Sequence, residues 1–214
     1  EAIYAVDVDT NSVVVIEGNK ISKVSSMTSV AGFGNTAISI ESFGEYLVAN
    51  NMIYGFELTA VNPVAYVRGI KNSSASATLN LAFNSIYMNN LSDIGTGTVT
   101  YQGLFISNGT NNFANNIVVS AETDFSSFCI YRDMALGTLA SNYNDFYPVS
   151  ATNGNVGYFS PNTTPTLADW QTASSQDPNS YSVDPLFVSA TDLHLSSIGS
   201  PMLGKGLAIP GVTT

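Results

Sequence analysis

An asparagine returns along this chain at positions 19, 51, 84, 116 and 144, at intervals of 32, 33, 32 and 28 residues. Each copy sits in a similar frame. Two residues later comes an apolar side chain (Ile21, Ile53, Ile86, Val118, Phe146). Three residues earlier comes another (Ile16, Val48, Leu81, Phe113), with Ser141 breaking the pattern in the last copy. A short alternating run precedes each frame: Val6-Asp7-Val8, Ile38-Ser39-Ile40, Tyr66 to Ile70, Leu104-Phe105-Ile106 and Phe128-Cys129-Ile130. Alternation of period two marks a strand with one buried face. A unit of about thirty residues with two or three such strands and no helix cannot bury that face alone, so successive units must stack.

Helical repeats do not fit, because β-branched residues, Gly and Asn crowd the segments where an apolar helical stripe would be needed. A propeller blade needs more strand residues per unit and antiparallel turn signals. The sequence therefore predicts an all-β chain, a right-handed parallel β-helix of roughly five to seven coils. The asparagine is expected at a tight bend, where αL or bridge backbone angles suit it. Its amide is expected to bond the copy one coil away, at a spacing of roughly 4.8 Å, and so to satisfy polar groups inside the turn. On this reading Asn19, Asn51, Asn84, Asn116 and Asn144 form a structural ladder.

Charged residues are only 10% of the chain, against roughly 25% in an ordinary domain, while 44% are hydrophobic. Such a chain folds, and its solubility rests on neutral Asn, Ser and Thr. A net charge of −10 with six Lys and Arg excludes nucleic acid as a partner, since phosphate backbones need clustered cations. It also argues against holding an acidic polysaccharide by overall charge. Cys129, the one cysteine, precludes an internal disulfide and reads as a small buried hydrophobe. No apolar run approaches the roughly 18 residues of a membrane span, so no membrane insertion is expected. The sequence opens directly on a strand-like run, Ala2 to Val6, which predicts that further domains precede it in a longer chain.

Residues 1–147 are read as coils and 148–183 as a loop excursion. Within it Thr166 is the expected N-cap of a short helix, with Asp169 in the first turn. Trp170 is expected to pin that helix over the end of the coil rather than to stack on a sugar. Residues 184–214 are read as terminal coils and cap. They carry Asp184-Pro185-Leu186-Phe187, Asp192-Leu193-His194-Leu195 and Gly199-Ser200-Pro201 in that order. This order resembles the closing segment of secreted bacterial right-handed β-helix repeat proteins of pectate-lyase-like fold. The resemblance implies export and the fold, and fixes no activity. Met202 to Gly206 stand where that family commonly has an alanine-isoleucine-aspartate run, so any role of that acid is lost. His194 alternates with Leu193 and Leu195 and is expected to face away from the core.

The same fold carries polysaccharide lyases, which use calcium-holding acids and a nearby Arg or Lys as base. Arg68, Lys71, Arg132 and Asp133 lie beside the early strands of their coils, and Arg68, Arg132 and Asp133 are the catalytic candidates. Asp7, Asp9 and Asn11 resemble the start of a calcium loop, but the glycine and distant glutamate of an EF-hand are missing, so Asp7 and Asp9 are candidate ligands only. A hydrolase needs two carboxylates about 5–9.5 Å apart. Asp7 or Asp9 with Glu41 or Glu45 would supply them, yet no hydrolase motif accompanies them. Four acceptor patterns for N-glycosylation, at Asn72, Asn90, Asn108 and Asn162, are expected by chance in so Asn-rich a chain.

The expectation is a non-catalytic structural or adhesive module, without a required cofactor, of a larger secreted or surface protein. Its expected partners are the remaining domains, an extracellular polysaccharide or another surface protein. The alternative is a polysaccharide-active or carbohydrate-binding domain. An ice- or mineral-binding face is disfavoured because no regular threonine array is evident.

Overall fold

The computed structural model describes residues 3–5, 12–26, 34–58, 64–90, 97–133, 136–196 and 199–212. Three parallel sheets take one strand each from every repeat. The first contains Ile3–Ala5, Gly34–Ile40, Val64–Asn72, Thr98–Ile106, Ser127–Arg132 and Gly154–Phe159. The second contains Val13–Glu17, Gly44–Ala49, Ala77–Ala82, Thr110–Ala114 and Thr138–Asn142. The third contains Lys20–Ile21, Met52–Leu58, Ser85–Asn90, Ile117–Ser120 and Asp145–Pro148, with Val24–Ser26 pairing further along Met52–Leu58. Five triplets therefore stack, and Gly154–Phe159 begins a sixth turn of this parallel β-helix.

The repeat frame is the core. Ile21, Ile53, Ile86, Val118 and Phe146 lie in one register on the third sheet, and Ile16, Val48, Leu81 and Phe113 in one on the second. Ile38, Ile70, Leu104 and Ile130 close the interior from the first sheet. All are buried in a single cluster. Burying each such side chain contributes roughly 1.5–3 kcal/mol, and no repeat can bury its own without the next.

The asparagines form the expected ladder. Asn19 Nδ2 donates to Asn51 Oδ1 at 2.9 Å, Asn51 Nδ2 to Asn84 Oδ1 at 2.9 Å, Asn84 Nδ2 to Asn116 Oδ1 at 2.9 Å and Asn116 Nδ2 to Asn144 Oδ1 at 3.0 Å. Each Oδ1 also accepts the backbone N–H of the preceding asparagine, at 2.9–3.2 Å, which settles which amide atom is oxygen. The backbone differs from the expectation. The left-handed residue of each bend is the one before the asparagine: Gly18, Asn50, Phe83, Asn115 and Tyr143, with φ of 55–68°. The ladder asparagines thus serve through their side-chain bonds rather than through tolerance of αL.

In every side-chain-to-side-chain step the earlier asparagine donates and the later one accepts, while Nδ2 of Asn51, Asn84 and Asn116 also donates to Ile16 O, Val48 O and Leu81 O of the preceding coil. The row of amides thus has its free donor end at Asn144. That donor end meets Asp177, a fully buried residue. Asp177 Oδ1 accepts from Asn144 Nδ2 at 3.1 Å, Ser141 Oγ at 2.9 Å and Ser180 Oγ at 2.6 Å, and Oδ2 accepts from Trp170 Nε1 at 2.8 Å. An anion at the donor end of aligned dipoles is favoured, as at a helix N-terminus.

Beyond Tyr147 the structure departs from expectation. Residues 148–165, read as loop, contain the strand Gly154–Phe159, which continues the first sheet, and Asn162–Thr164, which pairs with it antiparallel. The helix Leu167–Ser174 has the expected Thr166 cap, with Asp169 completing a capping box. Trp170 is fully buried over the end of the core, edge-on to Phe159. Among the described residues, 184–212 add no coils. Phe187–Ser189 and Asp192–Leu195 pair as an antiparallel hairpin beside the third sheet. The tail is clasped to a bend, where Asn115 Nδ2 donates to Leu207 O at 2.7 Å and Leu207 N to Asn115 Oδ1 at 2.8 Å.

One buried carboxyl links stability to pH. Asp145 is fully buried, its Oδ1 accepts from Val183 N at 3.0 Å, and its Oδ2 has no partner among the described residues. Burial, reinforced by nearby Asp184 and opposed by the Val183 N–H, pushes its pKa up to about 7. The folded chain therefore holds a proton that the unfolded chain, with a carboxyl near 3.9, has released. This contribution is fully present below pH about 4 and is lost as pH rises toward 7, by about 1.4 kcal/mol for each pH step of one. Asp145→Asn is expected to gain stability relative to the parent between pH 4 and pH 8, by several degrees in Tm. Parallel melts at the two pH values check this, and a variant-minus-parent difference independent of pH would overturn it.

Candidate functional site

The outer side of the first sheet gathers the sequence-derived candidates and a set of aromatic rings. One row runs in register through Ser39, Lys71, Phe105, Tyr131 and Tyr158. Phe105 and Tyr131 are stacked with ring centres 5.9 Å apart at 19°, and Tyr131 and Tyr158 at 4.4 Å and 15°. Phe128 meets both tyrosines edge-on, at 5.2 and 6.1 Å. The stack follows the coil axis, one ring per coil, because strands of a sheet repeat at roughly 4.8 Å, close to the spacing of stacked rings. Tyr131 and Tyr158 are half-buried. Burial, with the neighbouring Tyr158 and Asp133, pushes the Tyr131 phenol up to about 12, so it stays neutral.

Arg68 lies in the adjacent row, level with Thr36, Gln102 and Phe128. Its guanidinium carbon is 4.6 Å from the Tyr66 ring centre and 4.2 Å from that of Phe105, and Nε donates to Gln102 Oε1 at 2.7 Å. Lys71 is paired with Glu41. Glu41 also accepts from Ser39 Oγ at 2.9 Å and Tyr4 OH at 3.1 Å, and the Lys71 bond chiefly holds its carboxyl below the usual range. Glu45 points elsewhere. It lies on the second sheet, where Asn80 Nδ2 donates to its Oε1 at 3.2 Å.

Arg132 is not brought together with Arg68. It lies at the strand end, level with Ile106, its Nη2 donates to Gly137 O at 2.6 Å, and its guanidinium sits 5.0 Å from the Phe159 ring centre. Burial lowers the Arg68 pKa from its ordinary value, against the opposing pull of Tyr66 and then Asp133, and Asp133 forms no ion pair with it. Asp7 and Asp9 lie outside the described residues. Among those described, no three His, Cys, Asp or Glu side chains are grouped to hold a metal ion. His194 is exposed, as expected, and pairs with Asp192. Cys129 is buried, and burial pushes its thiol well up, out of nucleophilic range. No family model, curated protein or solved structure matches this chain. Function has to be argued from the site.

A second concavity, of about 730 Å³, lies over the second sheet between the tail and the segment after the helix, lined by Leu47, Asn80, Asn112, Ala140, Gln176 and Pro210. Beside its floor runs a row of Thr78, Thr110 and Thr138, an array not found in the sequence, which Glu45 ends after three steps. The aromatic row was also missed. Its signal is an aromatic residue directly after the inward residue of a first-sheet strand, as in Leu104-Phe105, Ile130-Tyr131 and Gly157-Tyr158.

Proposed function

We propose that this chain is a non-catalytic β-helix module of a larger secreted or surface protein, and that it holds an extended polysaccharide along the outer face of its first sheet. The observation that carries this reading is the stack of Phe105, Tyr131 and Tyr158 along the coil axis. The stacked rings cover one another's faces, so Tyr131 and Tyr158 would meet a ligand with ring edges and phenols, which suit the C–H and hydroxyl groups of a sugar, and no other described ring stacks on the far face of Tyr158. Their positions are fixed by the coil spacing rather than by a loop, so the face is preorganised. A non-catalytic role is supported by the carboxyls. Glu41 is an ion held by Lys71, and Asp145, the carboxyl with raised pKa, lies on the third sheet, buried beneath the segment that includes Tyr181 and Val183. Neither offers a general acid beside the stack.

Affinity electrophoresis through gels containing a neutral β-glucan, a galactan or polygalacturonate tests the reading. The parent should be retarded by at least one of them, and Tyr158→Ala should weaken that retardation about tenfold, or ~1.4 kcal/mol, with its melt unchanged within a few degrees. Retardation by none would overturn the binding role. Release of reducing or unsaturated ends that disappears in Arg68→Ala or Arg132→Ala would overturn the non-catalytic one.

A further inference from the structure

The chain has six cationic side chains, Lys20, Lys23, Arg68, Lys71, Arg132 and Lys205. On the first sheet Lys71 is neutralised by Glu41, and Arg132 is turned to the Gly137 carbonyl and the Phe159 ring. Arg68 differs. Tyr66 and Phe105 rings lie 4.6 and 4.2 Å from its guanidinium carbon, and its Nε is taken by Gln102. Neither Nη nitrogen meets an acceptor among the described residues. Gln102 is 1% exposed, and with its Oε1 given to Arg68, its Nε2 also has no partner there. Among the described residues the cluster therefore holds unused donors, the two Nη nitrogens of a planar fork and the buried Gln102 amide, amid aromatic side chains. Buried or ring-flanked donors need acceptors, and the partner that matches an Arg fork is an oxyanion bound by two parallel N–H groups.

We propose that the polysaccharide held by this face is anionic, and that Arg68 receives a carboxylate or sulfate on one sugar ring while the edges and hydroxyls of Tyr131 and Tyr158 line the path of the rings that follow. This inference rests on the polysaccharide-binding reading above and adds the ligand class. The net charge of −10 does not decide against it. At physiological salt, charges beyond about 8 Å are largely screened, and contact with the fork outweighs the distant carboxylates. Burial lowers the Arg68 pKa from its ordinary value, partly offset by Tyr66, Asp133, Tyr131 and Glu41, but a guanidinium stays protonated in proteins and neither acid forms an ion pair with it.

Matched pairs of polymers test it: polygalacturonate against its methyl ester, and a sulfated galactan against the same galactan desulfated. The parent should bind one charged member at least tenfold more tightly than its neutral twin, with the preference shrinking as NaCl rises. The arm that shows the preference tells carboxylate from sulfate. Arg68→Gln should erase the preference. Arg68→Lys, which keeps the charge and the stem but not the fork, should reduce it several-fold, and it serves alone if Arg68→Gln fails to fold by circular dichroism. Tyr158→Ala should weaken both members of a pair and leave their ratio unchanged. Equal binding of charged and neutral twins, or a preference that survives in both folded Arg68 variants, would overturn the oxyanion site while leaving the aromatic platform standing. Binding to no polymer would overturn the platform and this inference together.

Discussion

Asn84→Leu is expected to destabilise the chain by about 3–5 kcal/mol, although leucine is close to asparagine in size and more apolar. Asn84 is 1% exposed and its side chain makes four bonds. Oδ1 accepts from Asn51 N at 3.2 Å and Asn51 Nδ2 at 2.9 Å, and Nδ2 donates to Val48 O at 2.8 Å and Asn116 Oδ1 at 2.9 Å. Leucine removes all four and strands the Asn51 N–H and one Asn51 amide hydrogen in a dry turn. Each stranded buried group costs roughly 1–3 kcal/mol, which exceeds the gain from burying a leucine. For a chain of this size a loss near 4 kcal/mol corresponds to about 8–16 °C in Tm. Asn19→Leu provides the control. Asn19 is partly exposed and bonds forward to Asn51 and to its own Glu17 carbonyl, so its loss should cost about 1 kcal/mol or less. Amide exchange should localise the damage, with the Asn51 and Asn84 turns losing protection first. A melt of Asn84→Leu within about 2 °C of the parent would overturn the energetic account of the ladder.

The ladder and the core were legible in the sequence for one reason. From the second sheet through the bend to the third, each coil has the same length, so Ile16, Asn19 and Ile21 recur at a fixed distance in later copies. The first sheet has no such constancy. Arg68, Gln102 and Phe128 are level in space but separated by 34 and then 26 residues, because the connections before their strands differ in length. Only sheet register brings Phe105, Tyr131 and Tyr158 into one stack, and register is a non-local property that composition does not reveal. The candidates Arg68, Arg132 and Asp133 were legible only by position along the coil, which shows neither the rings stacked beside Arg68 nor that the fold keeps the two arginines apart. The ladder's cap was illegible for a related reason. Asp177 follows a helix and an excursion, and nothing around Gln176-Asp177-Pro178 marks it as the group that closes a row begun at Asn19.

Trp170→Ala is expected to cost about 3–5 kcal/mol, the usual loss for a buried large aromatic cut to a methyl group, and to act on stability and binding through the same strand. Trp170 occupies the place where an inward side chain of Gly157 would stand. Gly157 is level with Ile130 of the core, and a Cβ there would come within 2.6 Å of the indole. The strand therefore carries glycine where its neighbours carry isoleucine or leucine, which is why it read as loop. The indole N–H bonds Asp177 Oδ2 at 2.8 Å, so alanine also leaves a buried carboxylate oxygen without a donor at the end of the ladder. Trp170→Phe keeps most of the ring and loses only that bond, and should fall between parent and alanine, near 1–3 kcal/mol. Since each coil touches only its neighbours, the damage should stay at this end. Exchange protection should fall over Asp145–Pro148 and Gly154–Phe159 before it falls over Met52–Leu58. Tyr158, on the outer side of the same strand, stacks on Tyr131 at 4.4 Å and will lose its fixed position as the strand frays. Trp170→Ala should thus weaken polysaccharide binding at temperatures below its melt, although the side chain touches no ligand. If the variant melts early but binds as tightly as the parent at 10 °C, then Gly154–Phe159 is held by its pairing with Ser127–Arg132 alone, and the cap serves stability only.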